Sequence, residues 1–186
     1  MIDPASAGGQ ARVADAWRRR ASRYGLALLI FAIDRGVKVL LTGPAGLELV
    51  GSIRVLPVFA LTYAANFGVS YGWLTATSEE MRWILIAMTG LIALAVAAWL
   101  MVERRRADGI GLALVLGGAL GNIYDRFVHG FVIDYAELHI GEWHPFGIFN
   151  LADLAITGGV LILLARSLLS GEKPAKAGPE TLTENP

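Results

Sequence analysis

Four carboxylates, Asp34, Asp125, Asp134 and Asp153, lie inside or against otherwise apolar stretches of the chain. A charge at the centre of a membrane-crossing helix costs about 2.5–3.5 kcal/mol, so each needs a partner or a task. Asp34 and Lys38 stand four apart on one helical face and can pair, as a structural ion pair or as side chains reaching for the membrane edge. Asn122, Asp125 and Arg126 fall at i, i+3 and i+4 on one face, where mutual compensation of Asp125 by Arg126 is the expectation. Asp134 follows Gly130, beyond the expected helix end, among Val132, Ile133 and Tyr135. A lone carboxylate there is driven toward neutrality unless it finds a partner. Asn150 and Asp153 share a face three apart, with Asp153 about one turn into a helix. Asp153 is then either a helix-start acid favoured by the macrodipole or the partner of Asp134. Two carboxyls at one depth can share a proton, one activating water while the other donates to a carbonyl. Such aspartic peptidase chemistry needs neither metal nor thiol.

The elements that must hold these groups are membrane-type. Of 186 residues, 55% are hydrophobic and 17% charged, and mean hydropathy is +0.54, too apolar for an ordinary soluble domain. Sixteen Lys and Arg balance sixteen Asp and Glu, which removes nucleic-acid binding through a wholesale positive field. There is no cysteine, so disulfides, thiolate catalysis and Cys-ligated metals are excluded. Four stretches approach the roughly 20 residues a crossing helix requires: Tyr24 to Leu41, Trp83 to Val102, Gly109 to Val128, and Phe146 to Leu169. The uncharged run Val55 to Ser78 is not a span, because Pro57, Asn66, Gly68, Ser70 and Gly72 interrupt it and its Val, Phe, Tyr and Trp favour strands. It is expected to pack as a small sheet at the membrane surface, since open sheet edges do not survive in lipid.

Basic residues set the orientation. Arg12, Arg18, Arg19, Arg20 and Arg23 precede the first span, Arg104, Arg105 and Arg106 join the second to the third, and Arg166, Lys173 and Lys176 follow the fourth. Those segments are expected in the cytoplasm, with residues 42–82 and 129–145 outside. The first apolar run is expected to be an uncleaved helix, because Asp34, Arg35 and Lys38 interrupt it and no convincing cleavage site follows. The expected organisation is a cytoplasmic tail over 1–23, one membrane domain over 24–169 and a disordered cytoplasmic tail over 170–186, the first ten residues being similarly irregular.

At these residues the chain resembles the lipoprotein signal peptidases, or signal peptidase II, integral membrane aspartic endopeptidases of bacteria. The resemblance rests on D-x-x-x-K (Asp34, Lys38), N-x-G (Asn66, Gly68), G-N-x-x-D-R (Gly121, Asn122, Asp125, Arg126), V-x-D (Val132, Asp134) and F-N-x-A-D (Phe149, Asn150, Ala152, Asp153), in that order over nearly the whole chain. It implies a mainly α membrane protein, a four-transmembrane-helix bundle with a small extracytoplasmic β-sheet, or cradle, and a mobile outer segment. Val55 to Trp73 would supply much of the cradle and Glu137 to Phe146 the cover. It also implies a catalytic dyad of Asp134 and Asp153, with Asp125 in the supporting motif. The substrate implied is a diacylglyceryl-modified prolipoprotein, cut before its lipidated cysteine, processed without cofactor by a monomer in the bacterial inner membrane with its site near the outer face. Asn66, Asn122, Arg126 and Asn150 are then candidates to hold the peptide or orient the aspartates, with Asp34, Lys38 and Gly68 in support. One departure is Val37, where many relatives have a small hydroxyl residue before the lysine.

Two other readings use the same residues. A metal-dependent membrane hydrolase or phosphatidyltransferase would gather Asp125, Asp134 and Asp153 around a divalent cation, although His129, His139 and His144 form no H-E-x-x-H and no clustered D-x-x-D is present. A small transporter would line a path with Asp34, Lys38, Asp125 and Asp153 through the membrane depth.

Overall fold

The computed structural model describes residues 4–68, 79–141 and 143–169, with side chains from residue 13 onward. Eight elements follow in order: α1 (Pro4–Thr42), α2 (Leu47–Val50), β1 (Ser52–Leu56), β2 (Phe59–Asn66), α3 (Glu79–Val102), α4 (Arg106–His129), β3 (Val132–Leu138) and α5 (Leu151–Leu169). Ser70, Gly72, Trp73, Glu142 and the expected C-terminal tail lie outside the described residues.

α3, α4 and α5 are each long and apolar enough to cross a membrane, with mean hydropathies of 2.4, 1.3 and 1.7. They match the expected second, third and fourth spans, except that α5 starts at Leu151 because residues before it are used in loop and sheet contacts. The expected first span, Tyr24 to Leu41, lies within the 39-residue α1, where Asp34, Arg35 and Lys38 interrupt the apolar run. Residues 4–10 are therefore not irregular as expected: the helix runs unbroken from Pro4, with Ala and Arg outweighing Gly8 and Gly9. It stops at Thr42, where Gly43 donates its N–H to Val39 and Pro44 cannot extend the ladder.

α4 is the centre of the bundle, packed by α1, α3 and α5. Its glycines make this possible. A Cβ on Gly117 would stand 2.5 Å from the Ala27 carbonyl oxygen of α1, and one on Gly118 would stand 2.4 Å from that of Ala152 in α5. Small residues at such contacts let helix backbones approach where lipid removes the hydrophobic drive between helices. Ala27, Ala93, Leu100, Leu112, Ala113 and Leu116 form the buried core between α1, α3 and α4. Outward, Leu91, Leu94, Leu161 and Leu168 are exposed, an apolar surface suited to acyl chains.

The sheet is antiparallel in the order β1-β2-β3. β1 and β2 realise the strand-prone region, joined by a tight turn at Pro57 and Val58. β3 was not anticipated. Its seven residues show little alternation because five successive positions are buried against the bundle, and its partner strand lies some 70 residues earlier. Ala64 pairs with Asp134 and Asn66 with Val132. Gly130, at φ 87, ends α4 in the left-handed conformation and turns the chain into β3. Glu137 and Leu138, the first residues of the expected cover, belong to β3, and beyond them Ile140 and Trp143 exchange backbone hydrogen bonds.

Candidate active site

The ends of α4 and α5, the end of β2 and the middle of β3 converge where the two singled-out aspartates lie. Asp134 on β3 is 2% exposed. Its Oδ1 accepts from Asn150 Nδ2 at 2.6 Å and its Oδ2 from Asn66 Nδ2 at 2.9 Å. Asp153 on α5 is half-buried, with Oδ1 accepting from Asn122 Nδ2 at 2.8 Å and Oδ2 from the Asn150 backbone N–H at 3.1 Å. Asn150 thus holds both carboxylates, one with its side chain and one with its backbone.

The motif spacings have local physical causes. Asn150 is the N-cap of α5 and Asp153 its third residue, and they form a reciprocal capping box: the Asp153 N–H donates to Asn150 Oδ1 at 3.0 Å while Asp153 returns the favour to the Asn150 N–H. The next two N–H groups of α5 are taken from other elements, Leu151 by the Tyr135 hydroxyl at 3.1 Å and Ala152 by Asp34 Oδ1 at 3.1 Å. Donors that a helix start leaves orphaned therefore weld α5 to β3 and α1. Asn66 is aimed in a similar way. Its Oδ1 accepts from the Gly68 N–H at 2.8 Å, which turns its amide nitrogen toward Asp134. Gly68 has φ 89, a left-handed conformation that favours glycine in N-x-G, and a Cβ there would also require the Leu85 side chain, 2.7 Å away at Cδ1, to move.

Beneath the aspartates lies a buried charge cluster. Lys38 and Asp34 pair at 2.8 Å, as their spacing suggested, and Lys38 also reaches Asp125 Oδ2 at 2.7 Å; all three side chains are fully buried. Asp125 Oδ1 is met by Arg35, whose guanidinium lies 4.4 Å over the Tyr124 ring. The expected Asp125–Arg126 pair is therefore corrected: Asp125 is compensated by α1 instead. Adjacent residues on a helix point about 100° apart and do not face each other. Arg126 turns instead toward the aspartate side, where the charges of Asp153 and Asp134 act on it, and its Nη1 donates to the Asn122 carbonyl. Among the described residues its buried Nε has no hydrogen-bond partner.

The cluster touches both aspartate-bearing segments one residue upstream. Asp34 accepts from Ala152, next to Asp153, and Asp125 accepts from the Ile133 N–H at 3.2 Å, next to Asp134. Tyr135 and Arg35 were not singled out from sequence. Arg35 stood beside Asp34 in an apolar run, a signal that was present, whereas nothing marked the Tyr135 hydroxyl. Val37 packs in the apolar cluster of Leu47, Tyr135 and Ala136, so no hydroxyl is needed there.

Burial, reinforced by the nearby charge of Asp153, pushes the Asp134 carboxyl up to about 6, against the opposing hydrogen bonds of Asn66 and Asn150. Asn150 donates to both carboxylates, and the charge of Asp153 helps to raise the Asp134 carboxyl, so the two groups are electrostatically coupled. Among the described residues, no three His, Asp or Glu side chains converge as a metal-ligand set.

A family model described as "Signal peptidase (SPase) II" matches residues 26–169. The chain is 48% identical over 157 residues to a lipoprotein signal peptidase of Sphingopyxis alaskensis, covering 83% of this chain and 91% of the relative. It is 46% identical over 154 residues to that of Rhizorhabdus wittichii, covering 83% and 90%. A solved bacterial membrane enzyme, determined by the in meso method at 1.9 Å, superposes with a TM-score of 0.69 at 25% identity over 82% of this chain and 95% of its own. The match spans every element that contributes to the aspartate site, from α1 to α5, and with it the chain belongs to the signal peptidase II family.

Proposed function

We propose that this protein is a membrane aspartic endopeptidase that removes the signal peptide from diacylglyceryl-modified prolipoproteins by cutting before the lipidated cysteine. The observation that carries the reading is the pairing of Asp134 and Asp153 through Asn150, with each carboxylate oriented by a further asparagine. Four crossings, with α1 as the first, place both termini in the cytoplasm. The arginines around α1 and the start of α4 support this, because they lie at the opposite end of the helices from Asp125 and Asp153. The sheet and the dyad then sit near the outer face, where acyl chains can remain in the bilayer while the peptide meets water.

In the mechanism, Asp134 is the proposed acid, in keeping with its carboxyl raised by burial, and Asp153 the proposed base. Asp153 takes a proton from water as the oxygen attacks the scissile carbonyl carbon, and Asp134 gives its proton to the carbonyl oxygen. The tetrahedral diol collapses when Asp153 passes its proton to the departing amine nitrogen and Asp134 recovers one from a diol hydroxyl. Asn66, Asn122 and Asn150 keep the carboxylates in register, and Arg126 offers its free Nε to a substrate carbonyl. The metal-hydrolase reading is less well supported, because Asp125 is occupied by Arg35 and Lys38 instead of facing the dyad.

The purified protein in lipid is expected to cut a diacylglyceryl-modified prolipoprotein so that the new N-terminus is the lipidated cysteine, with turnover unchanged by excess chelator. Absence of cleavage, or its loss on chelation, would contradict this reading.

A further inference from the structure

The end of the bundle far from the aspartates carries more positive charge than its own contacts use. Arg23, 6% exposed, donates from Nη1 to the Glu103 carbonyl at 2.6 Å and from Nη2 to that of Arg105 at 2.9 Å. Arg20 Nε donates to the Met101 carbonyl at 2.9 Å. These arginines close the end of α3. Gly109 makes room for the arrangement, since a Cβ there would stand 2.2 Å from Arg23 Nε. The nearby acids are already engaged. Glu103 accepts from the backbone N–H groups of Arg104 and Arg105 at 2.7 Å each, and Asp108 faces Arg166 at 3.4 Å. Among the described residues, no carboxylate forms an ion pair with Arg19, Arg20, Arg23, Arg104 or Arg106.

Those five side chains line two neighbouring cavities. One, of about 570 Å³, is walled by Arg19, Arg20, Arg23 and Arg104 with Met101 and Val102, and also by Glu103, whose Oε1 is held by the backbone N–H groups of Arg104 and Arg105. The other, of about 260 Å³, is walled by Arg19, Arg23 and Arg106 with Ser22 and Ile110, so Arg19 and Arg23 belong to both. Exposed Trp17 and Trp99 flank this end of the bundle, the residue type that settles at headgroup depth. Guanidinium groups match phosphate oxygens in shape as well as charge, and the apolar wall of Met101 and Val102 continues toward the acyl region. Basic pockets between helices at this depth suit anionic headgroups.

We propose that this double cavity binds the phosphate of an anionic phospholipid in the adjacent leaflet. The site rests on the membrane placement of the helices and not on the aspartate dyad, so the two can fail separately. A simple orienting role for the arginines makes a different prediction, since arginines at this end would then be interchangeable whether or not they line the cavities.

Full-length protein in detergent would be titrated with phosphatidylglycerol and with phosphatidylcholine of the same acyl chains, and bound lipid read by native mass spectrometry. Wild type is expected to prefer phosphatidylglycerol. Arg19→Gln with Arg104→Gln, which removes two cavity walls that make no ion pair, is expected to weaken that binding by roughly tenfold or more, and Arg18→Gln with Arg105→Gln, an equal charge loss outside the cavities, by less than about twofold. Arg106→Gln, on the smaller cavity alone, gives an independent reading and is expected to fall between them. Millimolar inorganic phosphate should not displace the lipid; displacement would assign the cavity to free phosphate and overturn the lipid proposal. Equal losses in the two double variants, an unchanged Arg106→Gln, or no preference for the anionic lipid would also overturn it.

Discussion

Asp134 lies between two amide donors and a second carboxylate, so its protonation is set by residues that can be changed one at a time. Its raised carboxyl means that the singly protonated dyad is lost as pH rises through about 6, and kcat/KM is expected to fall along that limb. The Asn66 hydrogen bond lowers the Asp134 carboxyl; Asn66→Ala removes it and should move the limb to higher pH, a shift that a merely structural loss would not produce. Below the dyad, Lys38 is fully buried between two carboxylates. Lys38→Met should destabilise the protein by about 3–5 kcal/mol, read as loss of folded protein on heating in lipid, because Asp34 and Asp125 are left facing each other. Asp125→Asn should likewise impair folding at least as much as turnover. A well-folded but wholly inactive Asp125→Asn would mean that Asp125 acts directly in the reaction. The aspartates, Asn122 and Asn150 were legible from residue type and spacing, whereas the role of Asn66 followed only from the family resemblance. The partners of Asp125 were not, since they depend on the packing of α1 on α4, which spacing along one helix does not contain.

Helices α3 and α4 were legible nearly to their ends, because an uncharged run bounded by arginines leaves few alternatives. The start of α5 was placed early, since Phe146 to Asn150 are as apolar as a helix but are used to bond β3: Phe149 exchanges backbone hydrogen bonds with Ala136. That contact brings Asn150 beside Asp134, so the unread strand is also the element that assembles the site. Helix spacing is the quantity to perturb at this scale. Gly118→Leu would drive side-chain atoms into the Ala152 carbonyl, one residue before Asp153. It is expected to destabilise the bundle by about 1–3 kcal/mol and to lower kcat more than it raises KM, because it displaces a dyad residue relative to α4. Gly158→Leu, where nothing lies within 4 Å of the added Cβ, should leave both nearly unchanged.

For the whole molecule, the zero net charge conceals a separation. Arginines gather where α1, α3 and α4 meet, and the paired aspartates lie at the other end of α4 and α5, so the charge proposed to orient the chain is kept away from the charge proposed to do the chemistry. If α1 crosses the membrane, alkaline phosphatase fused after Gly43 should be active outside, whereas fusion after Leu169 should be inactive; activity at both positions would contradict four crossings. The central claim is that Asp134 and Asp153 act as one catalytic unit. It is tested most directly by measuring cleavage of a diacylglyceryl-modified prolipoprotein by lipid-inserted wild type, Asp134→Asn and Asp153→Asn. The dyad predicts that each variant binds substrate yet loses turnover by about three orders of magnitude or more, and that the double variant is no worse than either single. Substantial turnover in either correctly inserted single variant would contradict it.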